Sequence, residues 1–114
     1  MSKAEAMQRE TCARLDVAFH GAPSDQIAGV ARAVGSGLQP LHGLRHPVTD
    51  ATTGWYIWAG EYQSDADFFE PLHVRHLEEA CPAVLPYLGL PPGWRFLSAD
   101  GHEDVWFDAS VLDA

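Results

Sequence analysis

The chain has 114 residues, of which 46% are hydrophobic and 20% are charged, which is typical of one ordinary globular domain and excludes a largely disordered chain. Its 16 acidic and 7 basic residues give a net charge of -9, so we expect neither nucleic-acid binding nor docking to an anionic membrane, since both need a basic surface. The chain opens without a signal-peptide pattern and has no apolar run of the ~18 residues that a membrane span needs, so we expect a cytoplasmic protein.

Residues 1–37 are predicted to form a pair of helices. Apolar residues recur on one stripe of residues 3–19, which is typical of an amphipathic helix, and residues 21–23 end it. Ser24 is a suitable N-cap for a second, shorter helix that the glycines of residues 35–37 end. The apolar positions of this second helix follow an i, i+3, i+4, i+7 spacing and are Ile27, Val30, Ala31 and Val34.

The middle of the chain contains the strongest strand signal. Residues 38–48 favour a strand that Pro40 and Gly43 interrupt. Residues 55–59 are aromatic or β-branched at nearly every position and are stopped by Gly60. Because this second segment is apolar at odd and even positions alike, we expect a central strand that is covered on both sides.

The remainder of the chain predicts one further helix and a hairpin. Pro71 suits the first turn of a third helix, which residues 81–82 end, and residues 82–88 add one more turn. Residues 94–97 and 103–107 are predicted to pair as a hairpin.

This order of elements favours an α+β fold, because the strands are not regularly separated by helices. We expect a small, mostly antiparallel sheet of three to five strands, with the N-terminal helical pair and one further helix packed on it. Residues 1–114 are expected to form a single domain, in which residues 1–37 are the helical pair and residues 38–108 are the α+β core.

Motifs for catalysis or metal binding are weak. His73 and His76 follow Glu70 at i, i+3, i+6, but such a site needs ligands from other helices, and packing or surface histidines are the simpler interpretation. Cys12 and Cys81 are predicted to be reduced and buried, and no Cys-x-x-Cys motif, nucleophile elbow or phosphate-binding loop occurs in the sequence. We therefore predict no catalytic residue, metal or cofactor.

The charge is unevenly distributed along the chain. Residues 1–49 carry five basic and four acidic residues, whereas residues 50–114 carry two basic and twelve acidic ones. Eleven of the twelve aromatic residues also follow residue 50. An aromatic core enclosed by carboxylates is the expected result, and two explanations stay open: solubility alone, or binding to a basic partner.

Four segments resemble the immunity protein 33 family, whose small bacterial members are associated with polymorphic toxins and interbacterial competition. The segments are Gly54-Trp-Tyr-Ile-Trp-Ala-Gly-Glu61, Asp67-Phe-Phe-Glu-Pro-Leu-His-Val-Arg-His-Leu77, Cys81-Pro-Ala-Val-Leu-Pro-Tyr-Leu-Gly-Leu-Pro-Pro-Gly-Trp-Arg-Phe-Leu97 and Glu103-Asp-Val-Trp-Phe-Asp108. The resemblance covers about residues 38–108, the immunity-like core, and leaves the predicted helical pair outside.

The resemblance implies a non-enzymatic protein that neutralises a cognate toxin by binding it, through an acidic surface that covers a basic cleft. Acidic loops would supply the contacts, with Tyr62 as an aromatic anchor. The candidate partner-binding residues are Glu61, Tyr62, Asp65, Asp67, Glu78, Glu79, Asp100, Glu103 and Asp104. Two alternatives remain open: a structural or regulatory module that self-associates through aromatic edge strands, and a small metal-dependent enzyme that uses His73 and His76.

Overall fold

The computed structural model describes residues 2–113 and shows an α+β architecture with one six-stranded sheet. The strands are β1 (Ile27–Ala31), β2 (Leu41–Arg45), β3 (Thr52–Ala59), β4 (Phe69–His73), β5 (Trp94–Ala99) and β6 (His102–Phe107). The helices are α1 (Lys3–Leu15) and α2 (Val74–Ala80), with 3₁₀ segments at Pro82–Tyr87 and Ala109–Asp113. Within residues 2–113, no helix is both long and apolar enough to cross a membrane.

The sheet has the strand order β4-β1-β3-β2-β5-β6. The β1–β3 pair is parallel and the other four pairs are antiparallel. The α+β class is confirmed, but the sheet is mixed and has six strands instead of the three to five antiparallel strands that we expected. Strand β3 is central, as predicted, and the β5–β6 hairpin forms as predicted.

The predicted N-terminal helical pair is wrong in its second member. Helix α1 forms, with the Ser2 hydroxyl accepting from the Glu5 amide at 3.1 Å, but Ile27–Ala31 forms strand β1. An apolar spacing over so few residues does not separate a short helix from a buried strand. Gly29 decides between them, because it disfavours a helix interior and allows the Tyr56 ring to lie against the strand.

The predicted position of Pro71 is also wrong. Pro71 lies within β4, pairs with Gly29 of β1, and precedes α2, which starts at Val74. Strand β4 is an edge strand, where proline is tolerated because only one side of the strand must donate hydrogen bonds to a neighbour. The predicted end at residues 81–82 is confirmed, since α2 ends at Ala80.

The main core lies between the sheet and a layer formed by α1, α2 and the first 3₁₀ segment. Trp55, Ile57 and Phe96 point into it from the sheet, and Leu77 and Leu88 from the layer above. The Trp55 indole donates to the Leu88 carbonyl at 2.9 Å, and the Tyr87 ring stacks on Phe96 at 4.4 Å. Both cysteines are free and buried, as predicted.

Arg45 occupies an unusual place in this core, because its side chain is only 1% exposed and has no carboxylate partner among residues 2–113. Its guanidinium group donates to five backbone carbonyls, those of Thr53, His20, Leu88, Leu90 and Gly21, at 2.6 to 3.2 Å. Burial lowers the pKa of Arg45 to about 10. One side chain thus joins β2 to β3 and to two irregular segments that precede β1 and β5.

The expectation of a strand covered on both sides holds for β3 except at Tyr56, because Trp58 and Ala59 are buried but the two faces have different surroundings. The covered face of the sheet, defined by Trp55 and Ile57, packs against the helical layer. The opposite face, which we call the open face, carries Tyr56 and Trp58. Tyr56 is 38% exposed, so this face is aromatic without being covered by helices at that point.

Candidate partner-binding surface

The loop between β3 and β4, residues 60–68, contains four of the candidate residues and is called the acidic loop below. Glu61, Asp65 and Asp67 are exposed, and Tyr62 is 60% exposed. Within the described chain, none of the three carboxylates forms an ion pair. Their charges are therefore available to a partner.

Asp100 lies at the same end of the sheet as the acidic loop. Strands β3 and β5 both pair antiparallel with β2, so both end beside the start of β2. Asp100 is exposed in the turn after β5, and its amide donates to the Gln39 side chain at 2.9 Å. The structure thus places Asp100 at the same end of the strands as Glu61, Asp65 and Asp67.

Glu78 and Glu79 lie elsewhere. Both are exposed on α2, a helix of the layer that packs on the covered face. The structure does not join them to the acidic loop in one cluster.

Glu103 and Asp104 point to opposite faces of the edge strand β6 and already have partners. The Arg14 guanidinium donates to both carboxylate oxygens of Glu103, at 3.0 and 3.2 Å, and the Tyr87 hydroxyl donates to Oε2 at 2.8 Å. The hydrogen bond from Arg14 holds the pKa of Glu103 below its ordinary value. Asp104 lies 2.9 Å from the His102 ring nitrogen. Glu103 therefore ties α1 to the sheet.

Residues that the sequence analysis did not select form an aromatic cluster on the open face. Tyr56 and Trp58 of β3 contact Phe69 of β4 with ring centroids 5.1 and 6.2 Å apart. Tyr62 extends the cluster into the acidic loop, with its ring 5.4 Å from Trp58 and 5.6 Å from Phe68. Tyr56 and Trp58, two positions apart, are the sequence signal that aromatic residues share a face of β3, although this spacing does not specify which face stays open.

His42 belongs to the same face and stacks on Trp58, with ring centroids 5.0 Å apart. Burial and the nearby Arg95 charge lower the pKa of His42, which keeps the ring neutral near pH 7. A neutral imidazole on an indole continues the apolar surface across β2.

Two shallow hollows flank Tyr56 on the open face. One is lined by Ile27, Gly29, Thr52, Gly54, Trp55, Tyr56, Phe69, Glu70 and Pro71. The other is lined by His46, Pro47, Thr49, Thr52, Gly54 and Tyr56. A third hollow lies under the acidic loop, where Arg32 and Ala33 face residues 65–68. These hollows give the open face relief into which side chains of a partner can fit.

His73 and His76 approach each other, with ring centroids 5.7 Å apart. His73 is the last residue of β4 and His76 lies on α2, so the two are not placed on one helix as predicted. Among residues 2–113, no group of three or more His, Cys, Asp or Glu side chains is arranged to hold a metal ion.

Comparison with known proteins identifies a family. The family model described as Imm33-like domain matches residues 7–108. The matched range includes most of α1 as well as β1, so it extends further towards the N-terminus than the resemblance over residues 38–108. The comparisons with curated proteins and with solved structures gave no match.

Proposed function

Because the chain belongs to the Imm33-like family, we propose that it is an immunity-type protein that neutralises a cognate bacterial toxin by binding it directly. The match over residues 7–108, which is nearly the whole chain, is the observation that carries this proposal. In this proposal the protein binds the toxin without catalysing a reaction, and it acts in the cytoplasm of the cell that produces it. The biological setting is competition between bacteria.

The acidic loop is the proposed origin of electrostatic attraction to the toxin. Glu61, Asp65 and Asp67 are exposed and have no intramolecular ion pair among the described residues. A toxin with a basic cleft is attracted to such a surface, and electrostatic steering of this kind raises association rates. Glu103 takes no part, because its carboxylate is already held by Arg14.

The test uses the product of the adjacent gene as the candidate toxin. Coexpression of the chain is expected to rescue growth of cells that make this product, and the purified proteins are expected to form a complex. The charge reversal Asp65→Lys with Asp67→Lys is expected to slow association by about tenfold or more at low salt.

A matched control reverses two other exposed carboxylates, Asp25→Lys with Asp50→Lys. These two residues lie before β1 and β3, at the opposite end of the strands from the acidic loop. Both double variants change the net charge equally, so only the position of the charge differs. Failure of the wild-type chain to rescue growth or bind contradicts the proposed function. Equal association by both variants, without salt dependence, contradicts the role of the acidic loop.

A further inference from the structure

Resting on the proposed function, we infer that the open face of the sheet is the main docking surface, and that its occupant is an arginine-bearing segment of the toxin. In this arrangement the acidic loop attracts the segment, and the aromatic cluster of Tyr56, Trp58, Tyr62, Phe68 and Phe69 holds it.

The open face has the composition of an interface core. Tyr56 and Tyr62 are 38% and 60% exposed, and they stand on Trp58 and Phe69, which lie beneath them. Aromatic residues are enriched in the cores of protein interfaces, and contiguous exposed apolar surface marks interaction sites. Across the covered face, by contrast, the aromatic rings of Trp55 and Phe96 are fully buried by the helical layer. The chain therefore contains two aromatic layers: helices close the first, whereas Tyr56 and Tyr62 of the second reach solvent above the buried Trp58.

Neighbouring residues hold the Tyr56 ring in place between the two hollows. Its ring makes edge contacts with Phe69 on one side and with His46 on the other, with centroids 5.1 and 5.2 Å apart. Gly29 lies below the ring, where a Cβ atom would come within 2.7 Å of Tyr56 Cδ1. Tyr56 is therefore preorganised, so that little side-chain freedom is lost when a partner binds.

Charge selects an arginine-bearing occupant. The acidic loop places Glu61, Asp65 and Asp67 at the end of the aromatic cluster, because Tyr62 of the loop contacts Trp58. Two arginines lie near this face and both are already paired. Arg95 pairs with Asp108 at 3.1 Å, and Arg32 pairs with Glu70 at 3.2 Å. The surface thus offers aromatic rings together with carboxylates that have no ion pair in the part of the chain that the structure describes.

Within the chain, two guanidinium groups each contact an aromatic ring and a carboxylate at the same time. Arg95 lies over the Trp106 ring at 5.3 Å while it binds the Asp108 carboxylate. Arg9 lies over Phe19 at 4.1 Å while it binds Glu5. A planar guanidinium stacks on rings and pairs with carboxylates, whereas a lysine ammonium group is a strongly hydrated point charge. A second copy of the chain is a poor occupant, because two chains of charge -9 would bring their acidic loops together.

The test combines variants of the face with two peptide probes. Tyr56→Arg places a cation where the toxin's arginines would stack, and it is expected to weaken toxin binding on the order of tenfold or more, as expected for an interface hot spot. Tyr56→Phe keeps the ring and is expected to lose much less binding than Tyr56→Arg. Phe107→Ala removes an aromatic residue that is 50% exposed and packs against Trp94, and it serves as the matched control. Circular dichroism verifies that each variant is folded.

The probes are an oligo-arginine and an oligo-lysine peptide of equal length, used as competitors of the toxin. The arginine peptide is expected to compete more strongly than the lysine peptide, and this difference is expected to disappear in Tyr56→Arg. If wild type binds the toxin and Tyr56→Arg binds equally well, the docking surface is wrong while the proposed function stands. Equal competition by both peptides overturns the arginine preference. Wild-type dimers in light scattering that Tyr56→Arg dissociates would show that the occupant is a second copy, which also overturns the inference.

Discussion

Replacement of Arg45 by methionine tests the hydrogen bonds that its buried guanidinium group makes. The substitution keeps an apolar stem of similar length and removes the guanidinium group, which donates to five backbone carbonyls. The Leu88 carbonyl keeps a donor, because the Trp55 indole also binds it at 2.9 Å. The carbonyls of His20, Gly21 and Leu90 lose the donor that Arg45 provides.

The expected loss of stability follows from these acceptors. A buried carbonyl left without a donor costs about 1–3 kcal/mol. The bond to Leu90 is buried, whereas those to His20 and Gly21 are partly buried and fall at the low end of this range, so the three together cost about 5 kcal/mol. Removing the charge offsets part of this cost. Burial lowers the pKa of Arg45 to about 10, which corresponds to about 3 kcal/mol against the charged form. The free energy of unfolding is therefore expected to fall by about 2 kcal/mol, a substantial part of the 5–15 kcal/mol typical of a domain.

Urea denaturation followed by far-ultraviolet circular dichroism measures this change. Arg45→Lys keeps a positive charge but cannot reach all five carbonyls, so it is expected to be at least as destabilising as Arg45→Met. Arg32→Met is the control, because its side chain is 78% exposed and its loss should change stability by about 0.5 kcal/mol at most. A stability of Arg45→Lys within about 1 kcal/mol of wild type would refute the argument, since the guanidinium geometry would then be unnecessary.

Three other changes have defined outcomes. Gly29→Ala places a Cβ atom 2.7 Å from Tyr56 Cδ1 and is expected to destabilise the fold by about 1–3 kcal/mol in thermal unfolding; an unchanged melting temperature would contradict this packing. The pKa of Glu103 is lowered by Arg14, so its contribution is present above the ordinary glutamate pKa and is lost as the pH falls. Wild type should therefore lose more stability than Glu103→Gln between about pH 5 and pH 3, and parallel pH profiles would count against the contact. The pKa of His42 is also lowered, mainly by burial, so the unfolded chain takes up its proton first. Stability should fall as the pH drops below about 6.5, and less so in His42→Gln; equal slopes would show that His42 is not responsible.

Strong local signals in the sequence were sufficient to predict several elements. The aromatic and β-branched residues at positions 55–59 predicted the central strand, and the β5–β6 hairpin and α1 followed from their own periodicity. Strand β1 was missed because its parallel pairing with β3 depends on residues distant in sequence, such as Ile27 and Thr52. Local apolar spacing carries no information about that pairing.

The candidate site was predictable only where exposure is a local property. Glu61, Asp65 and Asp67 lie in a short polar loop, and they are exposed as a loop predicts. Glu103 looked equally free, but Arg14 binds it from 89 positions away in the sequence. The open aromatic face was missed because it depends on α1 and α2 both packing on the other side of the sheet, and sequence periodicity does not specify that choice.

The two edges of the sheet determine how this protein can behave at high concentration. Edge β4 contains Pro71, which lacks the amide that an added strand would need as a donor. Edge β6 carries Glu103 on one face and Asp104 on the other, so an added β6 strand would meet a carboxylate on either face. Each edge is thus blocked by a different device, and lateral sheet growth into polymers is opposed on both sides. A chain that exposes aromatic rings on one face of its sheet can in this way accumulate in a cell without extending the sheet into fibres.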